Sequence, residues 1–109
     1  MRKIASNYIF LPNSKLLLNS YVIMNDDGVL QKIVDTKGVL VEIEKLEFYS
    51  GLLVPSYVAN NLPSGNIDLL AYLSQLYSKF GSDFRGLAIL YDVDFLKMES
   101  LSSIYAELL

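Results

Sequence analysis

The chain has 109 residues, 52% of them hydrophobic and 19% charged, with a formal net charge of −3. That is the length of one domain, and the composition is too apolar for a disordered segment. Nine Lys and Arg against twelve Asp and Glu leave no footprint for neutralising phosphates, so nucleic acid and anionic membrane surfaces are excluded as partners.

Other absences narrow the chemistry further. No apolar run reaches the roughly 18 residues of a membrane helix. Ser6 and Asn7 interrupt Met1–Pro12 before it attains signal-peptide length, which makes a cytoplasmic location the expectation. Cysteine and histidine are both missing. The commonest neutral-pH base, the thiolate nucleophile and the usual transition-metal ligands are therefore absent. A metal site would need clustered carboxylates, which suit Mg²⁺ or Ca²⁺ rather than Zn²⁺.

In chain order, Lys3–Phe10 reads as a strand, punctuated by Pro12, Asn13 and Ser14. Leu16–Met24 reads as a second strand. Asn25-Asp26-Asp27-Gly28 follows, and Asp-Gly between apolar runs predicts a hairpin with both turn positions at positive φ. Val29–Val34 is the returning strand. Val39–Ile43 alternates with Val39, Val41 and Ile43 on one face, whereas Leu46 and Phe48 are apolar in the opposite phase. A regular strand cannot change phase, so a turn or bulge is expected near Lys45. Gly51 leads into Leu52–Val58, where Pro55 predicts an edge position or a bend.

Pro63-Ser64-Gly65-Asn66 breaks the pattern, with Ser64 or Asn66 as the expected N-cap and Asp68 in the first turn. Ile67, Leu70, Ala71, Leu73, Leu76, Tyr77 and Phe80 recur at helical spacing, and Gly81 closes the run. Leu87–Tyr91 reads as a short strand ending at Asp92-Val93-Asp94. Phe95–Leu109 fits either a helix, through Leu101, Ile104, Tyr105 and Leu108, or a terminal strand. The whole reads as one domain of residues 1–109: a β-rich block 1–58, a helix 64–81, and a returning strand with a C-terminal element, 86–109.

Ile4–Phe10, the hairpin at Asp27-Gly28 and the stretch Glu47-Phe48-Tyr49-Ser50-Gly51-Leu52-Leu53-Val54-Pro55-Ser56-Tyr57-Val58 together resemble the N-terminal segment of metal-dependent amidohydrolases of the cytosine/guanine deaminase and chlorohydrolase type. Gly51, Pro55 and Val58 keep the family's Gly-x-Leu-Val-Pro-Gly-Phe-Val pattern, while Ser56 and Tyr57 depart from it. In the family this strand leads to a His-x-His metal pair, and those positions fall here on Asn61 and Pro63, which cannot replace imidazoles. The family's catalytic barrel takes about 250 residues, and only residues 59–109 follow Val58. Arg85–Asp94 resembles the strand with which such chains return to their accessory domain.

The resemblance thus implies a mainly β, small sandwich-like composite domain with one or two helices and no TIM barrel. It implies no catalytic residues, no metal and no cofactor, and a structural or interaction role as a pseudoenzyme-like domain. A homodimer or other homo-oligomer is the expected partner, since removing a barrel uncovers a former interdomain face. The alternatives are an accessory subunit docking on a separate barrel chain, and a small-molecule-binding module.

Four groupings have simpler structural readings. Asp92-x-Asp94 reads as a solvated strand end before a carboxylate metal pair, and Asp26-Asp27 as hairpin chemistry. Pro63-Ser64-x-x-x-Asp68 reads as capping, because no base is present to activate the hydroxyl. The eight tyrosines suit core and interface use better than a pocket lining.

Overall fold

The computed structural model describes residues 1–37 and 43–109. The chain is mainly β: β1 (Arg2–Ile9), β2 (Leu17–Leu18), β3 (Tyr21–Met24), β4 (Leu30–Val34), β5 (Leu46–Pro55), a 3-10 turn over Ser56–Asn60, helix α1 (Leu69–Phe80), β6 (Leu87–Asp94) and β7 (Glu99–Leu108). One mixed seven-stranded sheet runs in the order β4-β3-β1-β5-β6-β7, with β2 paired to the distal half of β1. β1 and β5 are parallel, with Lys3 opposite Leu46 and Ile9 opposite Leu53; every other pairing is antiparallel.

The expected strand Leu16–Met24 is split in two. Asn19 takes a positive φ of 51° and its N–H donates to the Asn7 carbonyl, 2.9 Å away. The β1–β5 pairing is irregular at the same level, where Asn7 of β1 faces both Ser50 and Gly51 of β5 between the pairs Ser6–Tyr49 and Tyr8–Leu52. Paired irregularities on adjacent strands bend a sheet and increase its twist. The bend brings Met24 and Gly28, at the β3–β4 turn, into one cleft with Gly86 and Leu109 beside β6 and β7. A flat sheet would keep β3 and β7 about 19 Å apart. The sandwich-like layering is therefore made by a single sheet curling over itself.

Each face of the sheet carries a core. On the concave face Ile4, Ile9, Val22, Met24, Leu53, Leu87 and Ile89 are buried together. On the other face, Leu69, Leu73 and Leu76 of α1 pack on Leu52, Val54, Ala88 and Leu90. Their i, i+4, i+7 spacing sets them on one side of the helix, so the apolar stripe faces the sheet. Gly86–Tyr91 thus belongs to a sheet built from the N-terminal block: Leu52 pairs with Leu90 and Pro55 with Leu87. Leu87 and Ile89 share the concave face.

Several expectations are corrected. The β3–β4 turn has only Gly28 at positive φ, 79°. Asn25 Oδ1 accepts from the N–H groups of Asp27 and Val29 at 3.0 and 2.9 Å, so an Asx-capped turn replaces one in which both central residues are left-handed. The strand through Gly51 begins at Leu46 rather than Leu52, right after the turn at Lys45 (φ 59°). It is central, not an edge: β1 lies on one side and β6 on the other. Pro55 is tolerated because it is the last residue of the strand, beyond the final β1 pair at Ile9–Leu53. The chain then bends into the 3-10 turn, so Tyr57 and Val58 are not strand residues.

Helix α1 starts at Leu69, capped by Asp68 and not by Ser64 or Asn66; Asp68 Oδ1 accepts from Ala71 N–H at 3.2 Å. The residues before it are held in an extended bridge. Leu69 N–H donates to Met98 O at 2.9 Å and Ser100 N–H to Ile67 O at 3.0 Å. Phe95–Leu109, open between helix and strand, resolves as the strand β7 after a turn over Phe95–Met98. Of the expected strand Val39–Ile43, residues 39–42 lie outside the described residues.

Gly51 is required by the close approach of β6. A Cβ there would lie 2.5 Å from the Leu90 carbonyl oxygen and 2.6 Å from Ile89 Cγ2, and neither can yield without moving the strand. Gly51→Ala should therefore destabilise the fold by about 1–3 kcal/mol, read as a lower urea midpoint with an unchanged slope. An unchanged midpoint would show that β5 and β6 are not packed this closely.

Candidate functional site

The residues singled out in the sequence as possible ligands are used for structure. Asn61 follows the 3-10 turn; its Nδ2 donates to Tyr57 O at 2.8 Å, and its carbonyl accepts from the Tyr72 hydroxyl. Pro63 is buried and its side chain has no ligating atom, so the two positions form no ligand pair. Asp94 Oδ1 accepts from Leu96 and Lys97 N–H at 3.1 and 3.2 Å, closing the β6–β7 turn. Asp92, two residues earlier, sits at φ 60° in a bulge. Asp26 pairs with the Met1 amine. Ser64 is exposed. Among the described residues no three acidic side chains gather into a metal site.

The strands bring together a different set. Along the concave face, beyond the apolar core, lie Arg2 of β1, Glu47 and Tyr49 of β5, Tyr91 of β6, and Tyr105 and Glu107 of β7. Arg2 grips Glu47 with two parallel bonds, Nε to Oε2 at 2.9 Å and Nη2 to Oε1 at 2.8 Å, the fork geometry that guanidinium and carboxylate share. The Tyr49 hydroxyl donates to the same carboxylate at 3.0 Å. Two strands away the Tyr91 hydroxyl donates to Glu107 Oε1 at 2.8 Å. Tyr91 also stacks on Tyr105, centroids 5.0 Å apart and planes at 27°.

Electrostatics fixes the protonation of this row. Hydrogen bonding to Arg2, joined by Tyr49, holds the Glu47 carboxyl below its ordinary range. Partial burial and then the Glu107 carboxylate push Tyr91 up to about 12. Burial and then Glu47 raise Tyr49 as well, with Glu107 acting in the same direction. At neutral pH Tyr49 and Tyr91 are therefore neutral donors, and Glu47 is a charged acceptor. The row can stack and hydrogen-bond, whereas neither Tyr49 nor Tyr91 is poised as a base.

Sequence reasoning missed this set, although it anticipated interface use for tyrosine. The four strands meet only through the registers Ile4–Glu47, Leu52–Leu90 and Tyr91–Tyr105, which composition and spacing do not encode. Beside the row, a cleft of about 460 Å³ is lined by Arg2, Arg85, Asp26 and Asp27 with Gly28 and Leu109. No helix of the described residues is long and apolar enough to cross a membrane. No family model, curated protein or solved structure matches the chain.

The Arg2–Glu47 pair has a pH signature. Its side chains are 40% and 35% exposed, so solvent screening limits the pair to about 0–1 kcal/mol. Because the folded carboxyl titrates below its unfolded value of 4.5, the contribution is complete above that pH and is lost as pH falls below it. Glu47→Gln should flatten the acid limb of a stability–pH curve below pH 4.5. An acid limb identical to that of the parent protein would show that the pair does not contribute.

Proposed function

We propose that this chain is a non-catalytic accessory domain of the kind built beside the barrel of metal-dependent amidohydrolases, acting as a stand-alone structural or interaction module that self-associates. The observation that carries the reading is the joining of the N-terminal block and the returning strand in one sheet, through Leu52–Leu90, Leu53–Ile89 and Val54–Ala88. A composite domain whose two ends close on each other would join them in this way, and α1 would then span the interval where a barrel would be inserted. Three further features support it. Asn61 and Pro63 offer no ligand pair. The tyrosine row is suited to contact. Large apolar side chains stand in solvent, among them Leu108 at 66% and Tyr105 at 53% exposure.

Tyrosine is favoured where one end of a side chain packs and the other stays wet, which is why it anchors many interfaces. Here stacked and hydrogen-bonded tyrosines are already ordered before any partner arrives, and that lowers the entropy lost on association. The expected state is a two-fold homodimer. Multi-angle light scattering across a concentration series should give twice the chain mass of 12.3 kDa. A monomer at the highest concentration would contradict the self-association reading. Stoichiometric capture of a separate barrel polypeptide would replace it with that of a split hydrolase.

A further inference from the structure

The two edges of the sheet are not equally protected. β4 is five residues long, carries Lys32, and its pairing with β3 is irregular next to Met24. A short, charged and irregular edge resists pairing with another chain. The first half of β7 is covered on its outer side, where Ile67–Leu69 bridges Met98–Ser100. Leu101–Ile104 then bulges out, four residues opposite the single Asp92, between the pairs Val93–Ser100 and Tyr91–Tyr105. Beyond the bulge these devices stop. Tyr105–Leu108 is regular strand, with no lysine, no proline and one charge, Glu107.

The direction of its free hydrogen bonds follows from the ladder. Leu109 N–H donates to Leu87 O at 3.0 Å, so position 109 points inward to β6. Backbone groups alternate edges along an extended strand. Tyr105 and Glu107 therefore also point inward, while the N–H and C=O of Ala106 and Leu108 point outward. Among the described residues nothing pairs with them. The side chains alternate as well. Ile104 and Ala106 pack on the helix-side core, while Tyr105 and Glu107 lie on the concave face with the tyrosine row.

We infer that the outer edge of Tyr105–Leu108 is a dimer interface, on which the same segment of a second copy pairs antiparallel about a two-fold axis at Ala106. The inference rests on the self-association proposed above and names its surface. Outward groups can only face outward groups, so a symmetric ladder is centred at Tyr105, Ala106 or Glu107. Centring at Glu107 sets two carboxylates face to face, which is destabilising. Centring at Tyr105 sets the exposed, apolar Leu108 opposite the polar Ser102. Centring at Ala106 pairs Leu108 with Ile104 of the second copy on one face, an apolar match. On the other face it sets each Tyr105 against the second copy's Glu107, repeating across the interface the tyrosine–carboxylate contact that Tyr91 makes within the chain. Two sheets would then run on as one, and the stacked Tyr91–Tyr105 pairs would meet at the axis.

Because the chain contains no cysteine, single engineered thiols report the register directly. Tyr105 and the second copy's Glu107 would form a non-hydrogen-bonded pair with Cα atoms about 4.5 Å apart, within disulfide reach. Both side chains are exposed, so neither substitution strains the fold. Mixing Tyr105→Cys with Glu107→Cys under mild oxidation should give a mixed disulfide dimer at least about ten times faster than either variant alone, since like positions lie on the longer diagonal. A dimer by light scattering without this selective cross-link would overturn the interface while leaving self-association standing. A monomer with no cross-link would overturn both.

Discussion

Strand β5 is hydrogen-bonded along both edges, parallel to β1 on one side and antiparallel to β6 on the other, and most of the molecule is arranged around that double pairing. A parallel neighbour demands a crossover, and here the intervening chain forms the β3–β4 layer on the far side of β1. The antiparallel neighbour reaches β5 only after α1 has been laid down. Leu53 and Leu52 then point to opposite cores, so one short run of sequence supports both. The approach of β6 is close enough that Gly51 has no room for a Cβ. A side chain there would push apart the two halves that β5 unites.

The second organising feature is the bend. Asn7 and Asn19 meet across β1 and the β2–β3 break, where the Asn19 N–H bonds to the Asn7 carbonyl. Thr36 braces the same point, its N–H donating to the buried Ser20 hydroxyl and its own hydroxyl to the Asn19 carbonyl. Polar groups inside a sheet are tolerated when every one finds a partner, and no buried side-chain nitrogen or oxygen among the described residues is left without one. By curling the sheet, the bend encloses the concave core. It leaves the Tyr49, Tyr91 and Tyr105 row beside the stretch of β7 whose outer edge has no backbone partner among the described residues. Position in the fold, more than residue type, makes those tyrosines a surface.

Local signals in the sequence carried much of this. The β-prone run Lys3–Phe10, the turn or bulge near Lys45, the helical spacing up to Gly81 and the apolar run from Leu87 all depend on neighbours a few residues away. What was not legible depends on distant partners. Asp68 displaces Ser64 and Asn66 as the N-cap because Ile67 and Leu69 are held by Met98 and Ser100. Phe95–Leu109 has apolar spacing that satisfies a helix, and only its pairing with β6 decides for a strand. Pro55 signalled an edge or a bend, and only the pairing of β5 with both β1 and β6 decides for the bend at the end of a central strand. The grouping of Arg2, Glu47, Tyr91 and Glu107 exists only once four strands are in register.

If the chain is a composite domain closed on itself, β1–β5 and β6–β7 form one cooperative sheet. Native-state hydrogen exchange in increasing guanidinium chloride measures this residue by residue. The account predicts that the hydrogen-bonded amides of β1, of Leu52–Val54 in β5 and of Ala88–Leu90 in β6 converge on one opening free energy equal to that of global unfolding. A lower-energy opening that exposes Ala88–Leu90 while the β1–β5 amides stay protected would contradict it.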